Sequence, residues 1–196
     1  IKHNLTMIKP TIYRRLNGWW MKLESVAKNT KITVGISDLA VSNNVSDTLI
    51  TYSLGSCIAV LVYDPIVHVS GMIHVMLPDP NIEKMTKNSI SFNPYKYMDT
   101  GVPILIKKCI AMGAKKATMS ISVFGGAQVF DREDYFNIGK RNYVSLRKIL
   151  WQEGLLIRNE HVGGRVHRTV RIDIATGSIL LDVNKEEIIT YTSTIK

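Results

Sequence analysis

Ile58-Ala-Val-Leu-Val-Tyr63 and Gly71-Met-Ile-His-Val-Met-Leu77 are continuous apolar segments, and they decide the fold. Each is too short for a typical helix, and each is closed by a proline turn, Asp64-Pro65 after the first and Pro78-Asp79-Pro80 after the second. Short apolar runs of this kind are typical of strands buried on both faces. We therefore expect two neighbouring strands at the centre of the fold.

The remainder of the chain from residue 31 onward reads as short strands with two helices between them. Alternating and β-branched residues predict the strands, and apolar residues at helical spacing before a glycine predict the helices. The predicted strands cover residues 31–36, 47–52, 117–124, 155–160, 169–174, 178–183 and 187–192, and the predicted helices cover 99–112 and 139–153. Residues 79–98 are expected to form a long loop. No internal repeat is present, so we expect one domain over residues 31–196.

Composition excludes several classes of protein. The chain has 196 residues, of which 45% are apolar and 21% charged, so it is not a disordered chain. No run of eighteen apolar residues exists to span a bilayer. The two cysteines, Cys57 and Cys109, cannot make a disulfide scaffold, and a reducing cytoplasm is the expected location.

The net charge of +9 is unevenly distributed along the chain. Residues 1–31 contain seven lysines and arginines and one glutamate, a net charge of +6, whereas residues 32–196 have a net charge of +3. Basic residues of the body are not interleaved with aromatic residues, so no nucleic-acid groove is indicated. The excess charge therefore belongs to a basic N-terminal extension, residues 1–30.

This extension has an apolar pattern of its own. Ile12, Leu16, Trp19, Trp20 and Leu23 have helical spacing, which predicts an amphipathic helix, although Gly18 weakens it. One interpretation is that the tryptophans pack on the body or on a second copy of the chain. The other is a basic interfacial helix that makes a peripheral contact with a membrane.

Most chemical signatures are absent from the sequence. It has no phosphate-binding glycine loop, no dinucleotide-binding motif and no zinc-type cysteine or histidine motif. His161 and His167 form only a weak metal pattern and are expected to be structural. We therefore expect no metal ion and no organic cofactor.

The catalytic residues are expected between Thr51 and Pro78. Cys57 follows Gly55, where the backbone can turn tightly, and His74 lies seventeen residues later on the next predicted strand. Neighbouring strands would place a thiol beside an imidazole, which accepts and returns a proton while the sulfur acts as nucleophile. A paired imidazolium is expected to lower the pKa of the thiol. Thr51 is expected to hold the imidazole in one tautomer.

The structural alternative is that Cys57 is a small core residue and His74 a hydrogen-bonded structural histidine. Cys109 provides the contrast, because it lies on the apolar face of a predicted helix with no glycine turn beside it. We interpret Cys109 as a core residue.

A longer ordered set of motifs resembles the CheD family of chemoreceptor glutamine deamidases. The resemblance covers most of the chain from residue 32 onward. It rests on Thr51-Tyr-Ser-Leu-Gly-Ser-Cys57-Ile-Ala-Val, Tyr63-Asp-Pro, Gly71-Met-Ile-His74-Val-Met-Leu-Pro78, Tyr97-Met-Asp99, Gly125-Gly-Ala, Asn137-Ile-Gly-Lys-Arg-Asn142, Gly163-Gly164 and Thr176-Gly177.

The resemblance implies a fold, an activity and partners. The fold is of the α/β class (α+β type), with mixed β-sheets flanked by helices, similar to deamidating toxins of the cytotoxic necrotizing factor type. The activity is hydrolysis of receptor glutamine side chains to glutamate, with Cys57 as nucleophile, His74 as general base and Thr51 as third member. The partners are methyl-accepting chemotaxis receptors as substrate and a CheC-type phosphatase.

Two departures from the family pattern lie beside the site rather than in it. Tyr52-Ser53 replaces part of a glycine-rich approach to the cysteine, and a glycine common near His167 is missing. Residues 1–30 have no counterpart in the family pattern. An alternative function is a non-catalytic adaptor that binds a CheC-type phosphatase or the receptor, although an adaptor needs none of the three catalytic residue types.

Overall fold

The structure is a computed structural model that describes residues 30–81, 92–128 and 137–193 in full. It also describes the backbone of two N-terminal strands, β1 (Ile12–Leu16) and β2 (Trp19–Leu23), which pair antiparallel. The helix predicted from the apolar spacing of residues 12–23 is therefore wrong. Asn17-Gly18 lies between the strands in sequence, and this dipeptide favours the two-residue turn of a hairpin over a helix.

The described body contains ten strands and two α-helices. The strands are β3 (Thr30–Thr33), β4 (Asp38–Ser42), β5 (Asp47–Leu54), β6 (Ile58–Asp64), β7 (Val69–Val75), β8 (Ser120–Gly125), β9 (Ile157–Val162), β10 (Arg168–Asp173), β11 (Ser178–Val183) and β12 (Glu187–Thr192). The helices are α1 (Met98–Ala111) and α2 (Ile138–Gln152), and a short 3-10 helix, Pro94–Lys96, precedes α1.

The strands form two five-stranded mixed sheets. The first sheet has the order β4-β7-β6-β8-β9, in which only β8 and β9 are parallel. The second has the order β12-β11-β10-β5-β3, in which only β3 and β5 are parallel. The α/β fold class with mixed sheets and flanking helices is thus confirmed.

Strands β6 and β7 explain why the two quoted segments are apolar throughout. Every residue of both strands is buried, because each strand packs on both faces. Ile58, Val60 and Val62 belong to a core shared with α1 and α2. Ala59 and Leu61 belong to a second core against the other sheet. The layers are therefore helices, first sheet and second sheet, in that order.

Most predicted elements of the body exist with shifted ends. The helix predicted at 99–112 is α1, and the one predicted at 139–153 is α2. The sequence missed β4, a half-buried strand at the edge of the first sheet. Within residues 79–98, which were predicted as a loop, the structure describes the 3-10 helix and the start of α1.

Within the described residues no helix is long and apolar enough to cross a membrane. The division into an extension over residues 1–30 and one domain over residues 31–196 stays a prediction.

Candidate active site

The structure joins two of the three candidate residues by a direct hydrogen bond. Thr51 lies on β5 of the second sheet and His74 on β7 of the first, and both point into the core between the sheets. Thr51 Oγ1 is 2.8 Å from His74 Nδ1, and neither side chain is more than 1% exposed. The candidate site therefore lies where the two sheets meet.

The hydrogen bonds of Thr51 fix the tautomer of His74. The Thr51 hydroxyl donates its single proton to the carbonyl oxygen of Val34 at 2.7 Å. It can then only accept from His74, so Nδ1 of the imidazole carries the proton. Nε2 is left with a free lone pair, and this buried atom has no hydrogen-bond partner among the described residues. A buried basic nitrogen without a partner is suited to accept a proton from a nearby group.

Burial keeps His74 neutral. Desolvation lowers the pKa of His74 to about 4, because an imidazolium is disfavoured away from water. Near pH 7 the ring is therefore neutral, and its Nε2 can accept a proton.

Cys57 lies on the same side of the first sheet as His74. It belongs to the loop 55–57, which crosses from β5 in the second sheet to β6 in the first. Its half-buried side chain packs against the core between the sheets. His74 is the cross-strand partner of Ala59, two residues beyond Cys57. Because side chains alternate along a strand, Cys57 and His74 are diagonal neighbours on one face, and no hydrogen bond joins Nε2 of His74 to the thiol in this structure.

The expected lowering of the Cys57 pKa is wrong for this resting structure. Desolvation raises the pKa of the Cys57 thiol, and the backbone N–H of Cys57 offsets this only in part. Because His74 is also neutral, no imidazolium is present to stabilise a thiolate. The resting pair is thus a thiol beside an imidazole, and the proton must move as the sulfur attacks.

Hydrogen bonds to three successive backbone carbonyls hold the loop that carries Cys57. Ala127 N–H donates to Gly55 O at 2.8 Å, and Gly126 N–H donates to Cys57 O at 2.8 Å. A side chain on Gly125 would lie 2.2 Å from Cys57 O, so only glycine allows this approach. The third carbonyl, Ser56 O, accepts from the side chain of Asn142 at 3.1 Å.

Asn142 also helps to hold the Cys57 loop, and the sequence analysis did not predict this role. It lies on α2 and is fully buried, and its Nδ2 also donates to Met76 O at 3.0 Å. One amide therefore joins the loop before Cys57 to the residue that follows the strand of His74. Its Oδ1 is buried with no partner among the described residues, a costly arrangement. Asn142 is the last residue of one of the motifs quoted for the family resemblance, and this motif was the sequence signal that could have identified it.

The other candidates lie outside this cluster. Cys109 is fully buried on α1, and burial raises its pKa to about 12, which confirms it as a core residue. His161 accepts a hydrogen bond at 2.7 Å from Nε of the buried Arg168, so its interaction is structural. His167 is exposed. Over the described ranges no three metal-ligating side chains come together.

Comparison with known proteins gives a consistent family. Residues 76–183 match the family model described as CheD, chemotactic sensory transduction. The match begins after Thr51, Cys57 and His74, so it does not bear on their roles.

Curated relatives resemble the chain over a longer range. A probable chemoreceptor glutamine deamidase CheD 1 of Syntrophus aciditrophicus is 44% identical over 150 residues, 76% of this chain and 92% of that protein. A probable chemoreceptor glutamine deamidase CheD of Solibacter usitatus is 41% identical over 157 residues, 80% of this chain and 91% of that protein. One from Pyrococcus abyssi is 36% identical over 151 residues, covering 76% and 89%.

Among solved structures, a Neisseria meningitidis protein of the DUF152 family model aligns with a TM-score of 0.40 and 12% identity. The alignment covers 70% of this chain and 64% of that one. A likeness at this level carries no argument about function.

Proposed function

Since the chain belongs to the CheD family, we propose that it is a protein-glutamine glutaminase that hydrolyses glutamine side chains of chemoreceptors to glutamate. The observation that supports this most is the buried Thr51–His74 hydrogen bond, which leaves Nε2 of His74 as a free base on the face that carries Cys57. An adaptor would need neither this bond nor a half-exposed thiol beside it.

The first half of the proposed reaction forms a thioester. Nε2 of His74 takes the thiol proton as Sγ of Cys57 bonds to the carboxamide carbon, and the carbonyl oxygen becomes an oxyanion. The imidazolium then gives its proton to the amide nitrogen. The carbon–nitrogen bond breaks, and ammonia leaves.

The second half consumes water. Nε2 of His74 removes a proton from a water molecule whose oxygen bonds to the thioester carbon. The carbon–sulfur bond then breaks, the thiolate recovers a proton from the imidazolium, and the side chain is released as glutamate. The steps use a nucleophile, a proton carrier and hydrogen-bond donors, so no metal or organic cofactor takes part.

The oxyanion requires preorganised donors. The carbonyls of residues 55, 56 and 57 are all engaged by Ala127, Asn142 and Gly126. Because peptide groups are planar, the carbonyls held at residues 55 and 56 also orient the N–H groups of Ser56 and Cys57 beside the thiol, and we assign the role of oxyanion donors to these two groups.

The decisive experiment is a deamidation assay on a receptor cytoplasmic fragment, read by mass spectrometry. Conversion of an amide to an acid adds about 1 Da at the modified glutamine. We expect Cys57→Ala to abolish the change and Cys109→Ala to retain it, since Cys109 is the matched buried thiol outside the site. Activity in Cys57→Ala would remove Cys57 from the mechanism.

The family resemblance also supports a CheC-type phosphatase as partner and the cytoplasm as location. The net charge of +6 on residues 1–31 supports a peripheral membrane contact through the N-terminal extension. Liposome co-sedimentation of the full chain tests this contact. Replacing Lys9, Arg14, Arg15 and Lys22 with glutamine should weaken binding to anionic vesicles, and unchanged binding would contradict it.

A further inference from the structure

A buried arginine links the two sheets beside the Cys57 loop. Arg168 lies on β10 of the second sheet, opposite Leu54, the last residue before the loop 55–57. Its side chain is 2% exposed, and its Nε donates to Nδ1 of His161 on β9 of the first sheet at 2.7 Å. Among the described residues no carboxylate pairs with this guanidinium. Because a buried charge without an opposite charge is costly, the reason for its position lies in its hydrogen bonds.

The guanidinium holds the turn that follows β9. Nη2 of Arg168 donates to the carbonyl oxygen of Gly163 at 2.7 Å, and Nη1 donates to that of Val166 at 3.4 Å. Gly163 and Gly164 have φ angles of +76° and +69°, a conformation that glycine adopts without strain. Since neither glycine has a side chain that could pack, hydrogen bonds fix this segment, which we call the glycine turn.

The glycine turn holds the segment 125–128 at both of its ends. Gly163 N–H donates to Gly125 O at 2.9 Å, at the start of the segment. Gln128 N–H donates to Gly164 O at 2.8 Å, at its end. A displacement of the glycine turn would therefore displace the segment between these two bonds.

The segment in turn holds the nucleophile. Its two central N–H groups, those of Gly126 and Ala127, donate to Cys57 O and Gly55 O, each at 2.8 Å. A continuous series of hydrogen bonds thus leads from the guanidinium of Arg168, through the glycine turn and the segment, to the backbone of Cys57.

We propose that Arg168 is a positioning residue for the nucleophile, which fixes Cys57 relative to His74 by holding the glycine turn. This inference rests on the proposed function, because it adds a residue to the machinery of that site. A guanidinium presents several N–H groups in fixed directions, so one side chain can hold acceptors on two segments at once. A displacement of reacting atoms by about 1 Å can lower a rate about 100-fold, so the effect belongs to kcat.

The test makes the same substitution at two arginines of one strand. Arg168→Met removes the guanidinium and fills most of its space, and replacement of a buried charge by an apolar residue often preserves stability. Arg171→Met is the matched control, because Arg171 is an exposed residue of β10. Arg168→Lys keeps the charge and provides a second variant should the methionine variant not fold. Deamidation kinetics on a receptor cytoplasmic fragment and hydrogen exchange of single amides are measured for the full chain of each.

We expect Arg168→Met to lower kcat at least about tenfold and to leave KM within about twofold. Hydrogen exchange at the N–H groups of Gly126 and Ala127 should become at least about tenfold faster, and exchange at Leu61, in the middle of β6, should not change. Arg168→Lys should lose at least about threefold in kcat, because an ammonium does not reproduce the guanidinium geometry. Arg171→Met should behave as the wild type.

Wild-type kcat in Arg168→Met, or in Arg168→Lys if the methionine variant does not fold, would overturn the proposal. Equally faster exchange at Gly126 and Leu61 would also overturn it, because Arg168 would then stabilise the fold as a whole. If the wild type does not deamidate the fragment, the proposed function fails, while faster exchange confined to Gly126 and Ala127 still supports the role of Arg168 in holding Cys57.

Discussion

At the scale of single residues, the site depends on which nitrogen of His74 carries a proton. The Thr51 hydroxyl has one proton and gives it to Val34 O, so it must accept from Nδ1. This assignment leaves the lone pair of Nε2 free on an atom that is buried. Thr51 therefore orients His74, the base, and a substitution can test this role directly.

Thr51→Val keeps the shape of the side chain and removes the hydroxyl. We expect kcat for deamidation to fall about 10- to 100-fold with KM unchanged, because the ring is no longer held in one tautomer. Thr51→Ser retains the hydroxyl and should recover most of the activity. Steady-state kinetics on the receptor fragment measure kcat and KM of both variants. A valine variant as active as the serine variant would refute this role.

The lowered pKa of His74 links stability to pH. Folded His74 has a pKa of about 4, against 6.5 when unfolded, so between these values the unfolded chain binds a proton that the folded chain does not. The contribution of His74 to the free energy of unfolding should therefore be complete above pH 6.5 and should decrease as the pH falls toward 4. The loss from this residue approaches about 3 kcal/mol.

Urea unfolding of the wild type and His74→Gln across this pH range measures the effect. The glutamine variant should lose less stability than the wild type between pH 6.5 and 4, since its side chain does not titrate. Other titrating groups contribute equally to both proteins. Parallel pH profiles would mean that His74 is not held neutral by the fold.

At the scale of elements, the site is assembled from pieces that are distant in the chain. β5 supplies Thr51, β7 supplies His74, and the loop between β5 and β6 supplies Cys57. Helix α2 holds that loop through Asn142, and Gly126 and Ala127, which follow β8, hold it through backbone hydrogen bonds. The position of α2 should therefore affect catalysis although it contributes no reacting group.

Asn142→Ala tests this connection. Loss of the two part-buried hydrogen bonds to Ser56 O and Met76 O should cost about 1–3 kcal/mol in stability. We expect kcat to fall at least about tenfold, because a small displacement of the nucleophile lowers its reactivity. KM should be unchanged.

Asn159→Ala is the matched control for this variant. Asn159 Nδ2 also donates two hydrogen bonds, to Ser122 Oγ and Thr192 O, away from the Cys57 loop. It should lose stability and keep kcat. If both variants lose kcat equally, Asn142 contributes to stability alone.

At the scale of the whole molecule, the first sheet separates two apolar cores. Ile73 packs in the core beneath the helices, and Ile172 packs in the core between the sheets. Ile73→Val and Ile172→Val should each lower the free energy of unfolding by about 1 kcal/mol. The double variant should lose the sum within about 0.5 kcal/mol, because the two sites share no contact surface.

Chemical denaturation measures all three variants, and the slope of the free energy against denaturant should be unchanged. A double variant that departs clearly from the sum would show that the two cores are coupled through the sheet. A changed slope would show that the layers do not unfold together.

The sequence by itself determined the local features of this protein. Apolar runs identified β6 and β7 because a strand buried on both faces leaves no polar alternation, and glycine turns placed Cys57 at the end of a strand. The ordered motifs identified the family. These are properties of residues that are close in the sequence, so one sequence is enough to predict them. The antiparallel strands β1 and β2 show the limit, because apolar residues that have helical spacing in the sequence also fit two short strands.

The tertiary structure alone decided which distant groups meet. Thr51 and Asn142 are separated by 91 positions in the sequence, yet both act on the segments that carry Cys57 and His74. The neutral state of Cys57 and His74 depends on burial, which no motif records, and this is why the expected lowering of the Cys57 pKa was wrong.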